Sequence, residues 1–122
     1  MGVFIQPCRL SSRDVRIHYT KTVASTVSLA ELVARFDSRD LVALSHKADS
    51  DQIRLWGVMP GPRNGRQFRD LADGDLGLFI GDQVVHGSFL VLHKFRQPAV
   101  DVAQFLWGRD ANDQTWSLMY AL

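Results

Sequence analysis

The sequence predicts an α+β domain, with a small curled β-sheet or partly closed β-barrel flanked by two or three helices. Three observations lead there. Strand-like segments outnumber helical ones, most strands are joined by short turns, and the chain is 122 residues long. That length suits one domain with a core of its own. Hairpin-linked strands with few helices favour an α+β arrangement over a doubly wound sheet. Curling the sheet is the economical way to remove exposed edges.

In chain order, Val3 to Gln6 reads as a short strand. Val15, Ile17 and Tyr19 alternate with polar residues, the period of a half-buried strand. Ser28 with Glu31 three residues on has the form of a capping box. Leu29, Leu32, Val33 and Phe36 follow at helical spacing. Leu41 to Leu44 and Ile53 to Met59 read as strands. Pro60-Gly61-Pro62-Arg63-Asn64-Gly65 is too punctuated for regular structure, and a short helix is expected from Arg66 to Leu71. Leu76 to Ile80, the turn Gly81-Asp82 and Val84 to His93 form a predicted hairpin. A helix over Ala99 to Trp107 and a strand over Thr115 to Leu122 complete the reading.

Composition excludes several classes. Apolar residues make up 46% and charged residues 22%, as in ordinary globular domains. Cys8 is the sole cysteine, so no internal disulfide forms, and a buried thiol in a cytoplasmic protein is expected. No apolar run approaches the ~20 residues of a membrane span, so no membrane partner is expected. The histidines at 18, 46, 86 and 93 form no metal-ligand spacing, and no cofactor is expected. Nucleophile-elbow and Walker motifs are absent. Asp73 and Asp75 are explained by turn chemistry. These observations predict a binding domain rather than an enzyme.

Net charge is +1, but arginine accounts for 11 of 14 basic residues. From Gln52 to Arg69 there are four arginines and no acid. Arginine suits phosphate because its planar fork donates two parallel hydrogen bonds; an ordinary mixed surface accounts for the same composition. Trp56 ends a strand beside the Pro/Gly/Arg loop, placed equally well for base stacking or for the core. Phe79 and Trp116 read first as core residues. Phe95 stands between Lys94 and Arg96 just past a strand end, as a wall for a nucleic-acid base or as a plug for a barrel.

Trp56-Gly57-Val58, Asn64, Phe68, Leu71, Gly74-Asp75, Leu78-Phe79, Gly87, Val91 and Lys94 together resemble the core of the EVE and YTH branch of PUA-like domains. Ala103, Leu106-Trp107-Gly108, Thr115-Trp116 and Met119-Tyr120 extend the likeness toward the modified-DNA-binding domains of McrB-type and HNH-type modification-dependent restriction endonucleases. Tyr19-Thr20-Lys21-Thr22-Val23, with Val27 and Leu29 to Leu32, fits the same group more loosely. The resemblance covers residues 17 to 122, and Ile80 departs from the tyrosine that often follows Leu-Phe in the family.

The resemblance implies a specificity module that flips a methylated or hydroxymethylated base out of double-stranded DNA. The base would enter a pocket of Trp56, Phe95, Asn64, Phe79 and Trp116, with Asn64 reading its edge. Arg63, Arg66, Lys94 and Arg96 would hold phosphates. Residues 1–122 would form one domain, the N-terminal part of a restriction enzyme whose nuclease lies beyond Leu122. The alternatives are an RNA-binding PUA-like domain and an ASCH-type nucleoside-binding or nucleoside-hydrolysing domain, for which Lys94 is the one candidate catalytic residue.

Overall fold

The computed structural model describes residues 2–122. Among these, the chain is α+β, with five α-helices and three small sheets, none of which closes into a barrel. The first sheet runs in the order β1 (Val3–Pro7), β5 (Leu76–Gly81), β6 (Val84–Leu90). β1 is parallel to β5, and β5 is antiparallel to β6. β2 (Val27–Ser28) pairs with β3 (Gln52–Ile53). The third sheet is β4 (Leu55–Val58), β8 (Leu118–Ala121), β7 (His93–Lys94), all antiparallel.

The expected hairpin is present. Asp82 and Gln83 both take positive φ, 52° and 63°, the two-residue turn whose twist matches that of paired strands. Its register shifts between Phe79 and Ile80, which pair with Gly87 and Val85. His86 is therefore the extra residue of a bulge.

Four segments depart from their predicted form. Residues expected as a strand from Val15 form helix α1 (Arg13–Tyr19), continued by a π-helical turn over Thr20–Ala24. His18, Thr22 and Val23 are buried there and Val15 and Tyr19 half-buried, a helical spacing that outweighs the short alternation. Thr22 Oγ1 lies 3.0 Å from the His18 carbonyl and 2.6 Å from that of Leu55, tying the turn to β4.

The expected helix after Ser28 is short, with α2 (Leu29–Leu32) tightening into a 3-10 turn over Val33–Arg35. Ser28 does not cap it. Its hydroxyl donates instead to Asp51 Oδ2, and Asp51 Oδ1 accepts the Ala30 N–H at 3.0 Å, so the cap comes from across the β2–β3 ladder. Leu41 to Leu44, expected as a strand, lies inside α3 (Ser38–Lys47).

The loop from Pro60 is also more regular than expected. α4 (Pro62–Asp70) begins at Pro62. Proline fits a first helical position because the N–H it lacks would have had no partner there. α5 (Val100–Trp107) follows the third sheet's β7 and matches the predicted helix to within a residue.

Two apolar clusters form the interior. One gathers Leu32, Leu44, Leu55, Phe95, Val102 and Met119, with neighbours. The other gathers Cys8, Trp56, Phe79, Phe89, Val91 and Tyr120, with neighbours. Among the described residues, no helix is long and apolar enough to cross a membrane.

Candidate functional site

The structure keeps Trp56 and Phe79 together but separates them from the other residues of the pocket that the resemblance implied. Trp56 is 5% exposed, packed edge-to-face against Tyr19 and Phe79, with an indole N–H that has no partner among the described residues. The ring is sealed in the interior and does not form the wall of an open cavity. Phe79 is buried beside it. Trp116 is half-buried elsewhere, its ring 4.2 Å from that of His18. Phe95 belongs to the other apolar cluster, so Trp56 and Phe95 do not face each other. Asn64 is engaged within its own loop. Its amide donates to the Met59 carbonyl at 2.9 Å and closes the loop ahead of α4.

The predicted phosphate ligands divide in the same way. Arg63 and Arg66 are exposed on α4, and Arg69 continues their stripe. None of the three makes an ion pair among the described residues. Arg96 is exposed as well. Lys94 is committed elsewhere. Its ammonium donates to the carbonyls of Phe68 and Arg69, both at 3.1 Å. These are orphan carbonyls at the C-terminus of α4, where a cation is favoured. Lys94 is thus a helix cap and not a free phosphate ligand.

Phe95 instead borders a cavity of about 300 Å³. Phe36 packs edge-to-face against it, the ring centroids 5.4 Å apart at 65°, and both rings line the cavity. Phe95 is 1% exposed and Phe36 half-buried, so Phe36 is the ring that an entering molecule meets and Phe95 backs it. Asp40 is the buried polar residue of the lining, and Arg35, Asp37 and Asp101 stand with it.

Local sequence explains how this site is assembled. The 3-10 turn ends at Phe36, which is extended with φ −83° and ψ 147°. Asp37 then caps α3, accepting the Arg39 N–H at 2.9 Å. This places Asp40 in the first turn of α3, where the helix dipole favours a carboxylate. Asp40 Oδ1 is bonded to His93 Nε2 at 2.8 Å and accepts the Arg96 N–H at 3.3 Å. One oxygen thereby anchors the segment that carries Phe95. Oδ2 makes no hydrogen bond to the described residues.

Phe36 and Asp40 were not among the residues expected at the site. The signal for Asp40 was present as Asp37-Ser-Arg-Asp40, a helix-start pattern with an acid at the cap and another in the first turn. The apolar residues of Leu41 to Leu44 drew that stretch toward a strand instead.

A wider groove of about 870 Å³ runs between β6 and the β2–β3 pair, bordered by Tyr19, Phe79, Phe89, Arg54 and Leu122 among others. It carries no buried charged side chain. Cys8 is sealed, and burial first, with the nearby Asp82 charge second, pushes its thiol up to about 11, so it is unsuited to nucleophilic work. Among the described residues no cluster of histidine, cysteine or acids is arranged to hold a metal. No protein-family model, curated protein or solved structure matches this chain.

Proposed function

We propose that this chain is a reader domain that holds a modified base, everted from DNA, in the cavity lined by the Phe36–Phe95 pair and Asp40. The carrying observation is the pairing of two phenyl rings with one buried carboxylate around a cavity of about 300 Å³. An apolar cavity of roughly 150 Å³ admits benzene, so twice that volume suits a one- or two-ring base. Eversion costs a few kcal/mol, and burial against an aromatic wall contributes ~1–3 kcal/mol per base. A methyl group in contact with Phe36 adds ~0.8 kcal/mol.

Asp40 supplies edge recognition. A carboxylate oxygen accepts hydrogen bonds, so Oδ2 matches the amino group of adenine or cytosine, which keeps an N–H after a single methylation. The uncompensated arginines of α4 and the exposed Arg96 support phosphate binding, which gives register without sequence information. The resemblance to PUA-like domains of modification-dependent restriction endonucleases is carried by other residues and favours the general class of modified-base reader, with a linked nuclease and a PUA-like fold, without pointing to this cavity.

The test is a binding panel at fixed salt. Duplexes carrying methylated adenine, methylated cytosine or hydroxymethylated cytosine are compared with unmodified DNA and with matched RNA. The expected result is a preference for one modified duplex, reduced at least tenfold in Phe36→Ala and in Asp40→Asn. Equal affinity of the native protein for all duplexes removes the proposal. Tighter binding of the RNA moves it to the RNA-binding class.

A further inference from the structure

We infer that Arg35, held over the ring of Phe105, is a phosphate clamp at the mouth of the cavity lined by Phe36 and Phe95. The inference rests on the base-reader proposal and adds to it a contact that fixes the everted nucleotide's backbone.

Three observations carry it. The Arg35 guanidinium carbon lies 4.2 Å from the Phe105 ring centroid. Phe105 is a large apolar side chain left 47% exposed on the outer face of α5. Arg35 itself borders the cavity, one residue before the Phe36 ring that an entering base would meet.

The guanidinium sits over the phenyl ring, whose π face attracts a cation. The guanidinium's N–H donors are left free. Arg35 makes no ion pair among the described residues, although three carboxylates share the lining. Asp40 is committed to His93 and the Arg96 N–H. Asp37 is engaged with Arg39, accepting its N–H and lying 3.6 Å from its guanidinium. Asp101 sits in the first turn of α5. A guanidinium held over a ring, with N–H donors left unused, is suited to bidentate phosphate.

Size then settles which part of a nucleotide it would meet. A cavity of about 300 Å³ takes the base alone. The sugar and its flanking phosphates stay at the mouth, where Arg35 stands. Asp37 and Asp101 repel a phosphate, so the backbone approaches on the Arg35 side and enters in one direction.

The experiment measures duplex affinity over a salt series for the native protein, Arg35→Ala, Arg35→Lys and Phe105→Ala, on modified and unmodified DNA. Both positions are exposed, so the variants keep the fold. Arg35→Ala is expected to lose roughly tenfold at low salt and to flatten the plot of log affinity against log salt by about one unit of slope. Arg35→Lys retains the slope while losing part of the affinity. Phe105→Ala keeps the charge but loses its orientation, so affinity falls with little change of slope. The ratio of modified to unmodified binding stays constant throughout. A native salt slope in Arg35→Ala overturns the clamp even where the native protein prefers modified DNA. A native protein without that preference overturns the base reader instead.

Discussion

Asp40 and His93 meet side chain to side chain in the interior, Oδ1 2.8 Å from Nε2, with only 4% and 5% of their side chains exposed. The other ring nitrogen of His93 lies 3.9 Å from Asp73 Oδ2, which Lys47 Nζ contacts at 2.6 Å. Asp40 and Lys47 stand at opposite ends of α3. The helix is thus pinned at both ends to the segment around β7, and the Phe36–Phe95 cavity is bounded by the segments this network fixes.

Removing one member of a buried pair leaves its partner unsatisfied. Asp40→Ala is expected to lower stability by about 3 kcal/mol, and His93→Ala by a comparable amount. The double variant is expected to lose less than the sum of the two, since they share one interaction. Urea unfolding of the four proteins measures this. Strictly additive losses would show that the two side chains act independently.

Gly57 tests the packing between β4 and the aromatic pair beyond it. A Cβ at this position would lie 2.3 Å from the Trp116 carbonyl oxygen and 2.6 Å from the Trp107 ring. Backbone cannot move aside as a side-chain end can, so Gly57→Ala is expected to cost about 3 kcal/mol. At Gly87 the nearest atom, the Tyr19 hydroxyl, is 3.5 Å away, so Gly87→Ala serves as the tolerated control. Thermal unfolding of both variants decides. Equal melting temperatures would mean that the contact at Gly57 relaxes at no cost.

What the sequence made legible follows from the range of the forces involved. The β5–β6 hairpin was readable because Leu76 to Ile80 and the following turn are adjacent in the chain. α5 was readable from its own apolar face. The second wall of the cavity was not. Phe36 and Phe95 are 59 positions apart in sequence and are brought together by a hydrogen-bonded carboxylate that no local pattern records. Trp56 misled for the opposite reason. A tryptophan beside a basic loop has the same local sequence whether its ring faces solvent or the core. Only the packing of Tyr19 and Phe79 around it distinguishes the two.

His18 predicts a pH dependence. Its ring is buried against Trp116 and Trp107. Burial pulls its pKa below the usual 6.5, Asp14 opposes that shift, and Lys21 reinforces it. The folded state therefore favours the neutral ring. This contribution to stability is fully present above the unfolded pKa and is lost as pH falls through the lowered folded value. Replacing His18 with glutamine removes the titration. The melting temperature of the native protein should fall more steeply between about pH 7 and pH 5 than that of His18→Gln. Parallel curves would assign the acid sensitivity to other groups.

Trp56 and Phe36 make the sharpest contrast between a structural and a binding aromatic residue. Trp56 is sealed, and its indole N–H is unpartnered among the described residues. Trp56→Phe discards that unsatisfied donor but leaves a void, for a net loss of about 1–2 kcal/mol. It is expected to leave discrimination between modified and unmodified duplex unchanged. Phe36 is half-buried at the cavity, so Phe36→Leu keeps most of the apolar volume and removes the flat face. It is expected to change stability by under about 1.5 kcal/mol and to abolish most of the discrimination. Measuring urea midpoint and duplex preference on both variants separates the two roles. Loss of preference in Trp56→Phe with preference retained in Phe36→Leu would return base recognition to the interior cluster around Trp56 and Phe79.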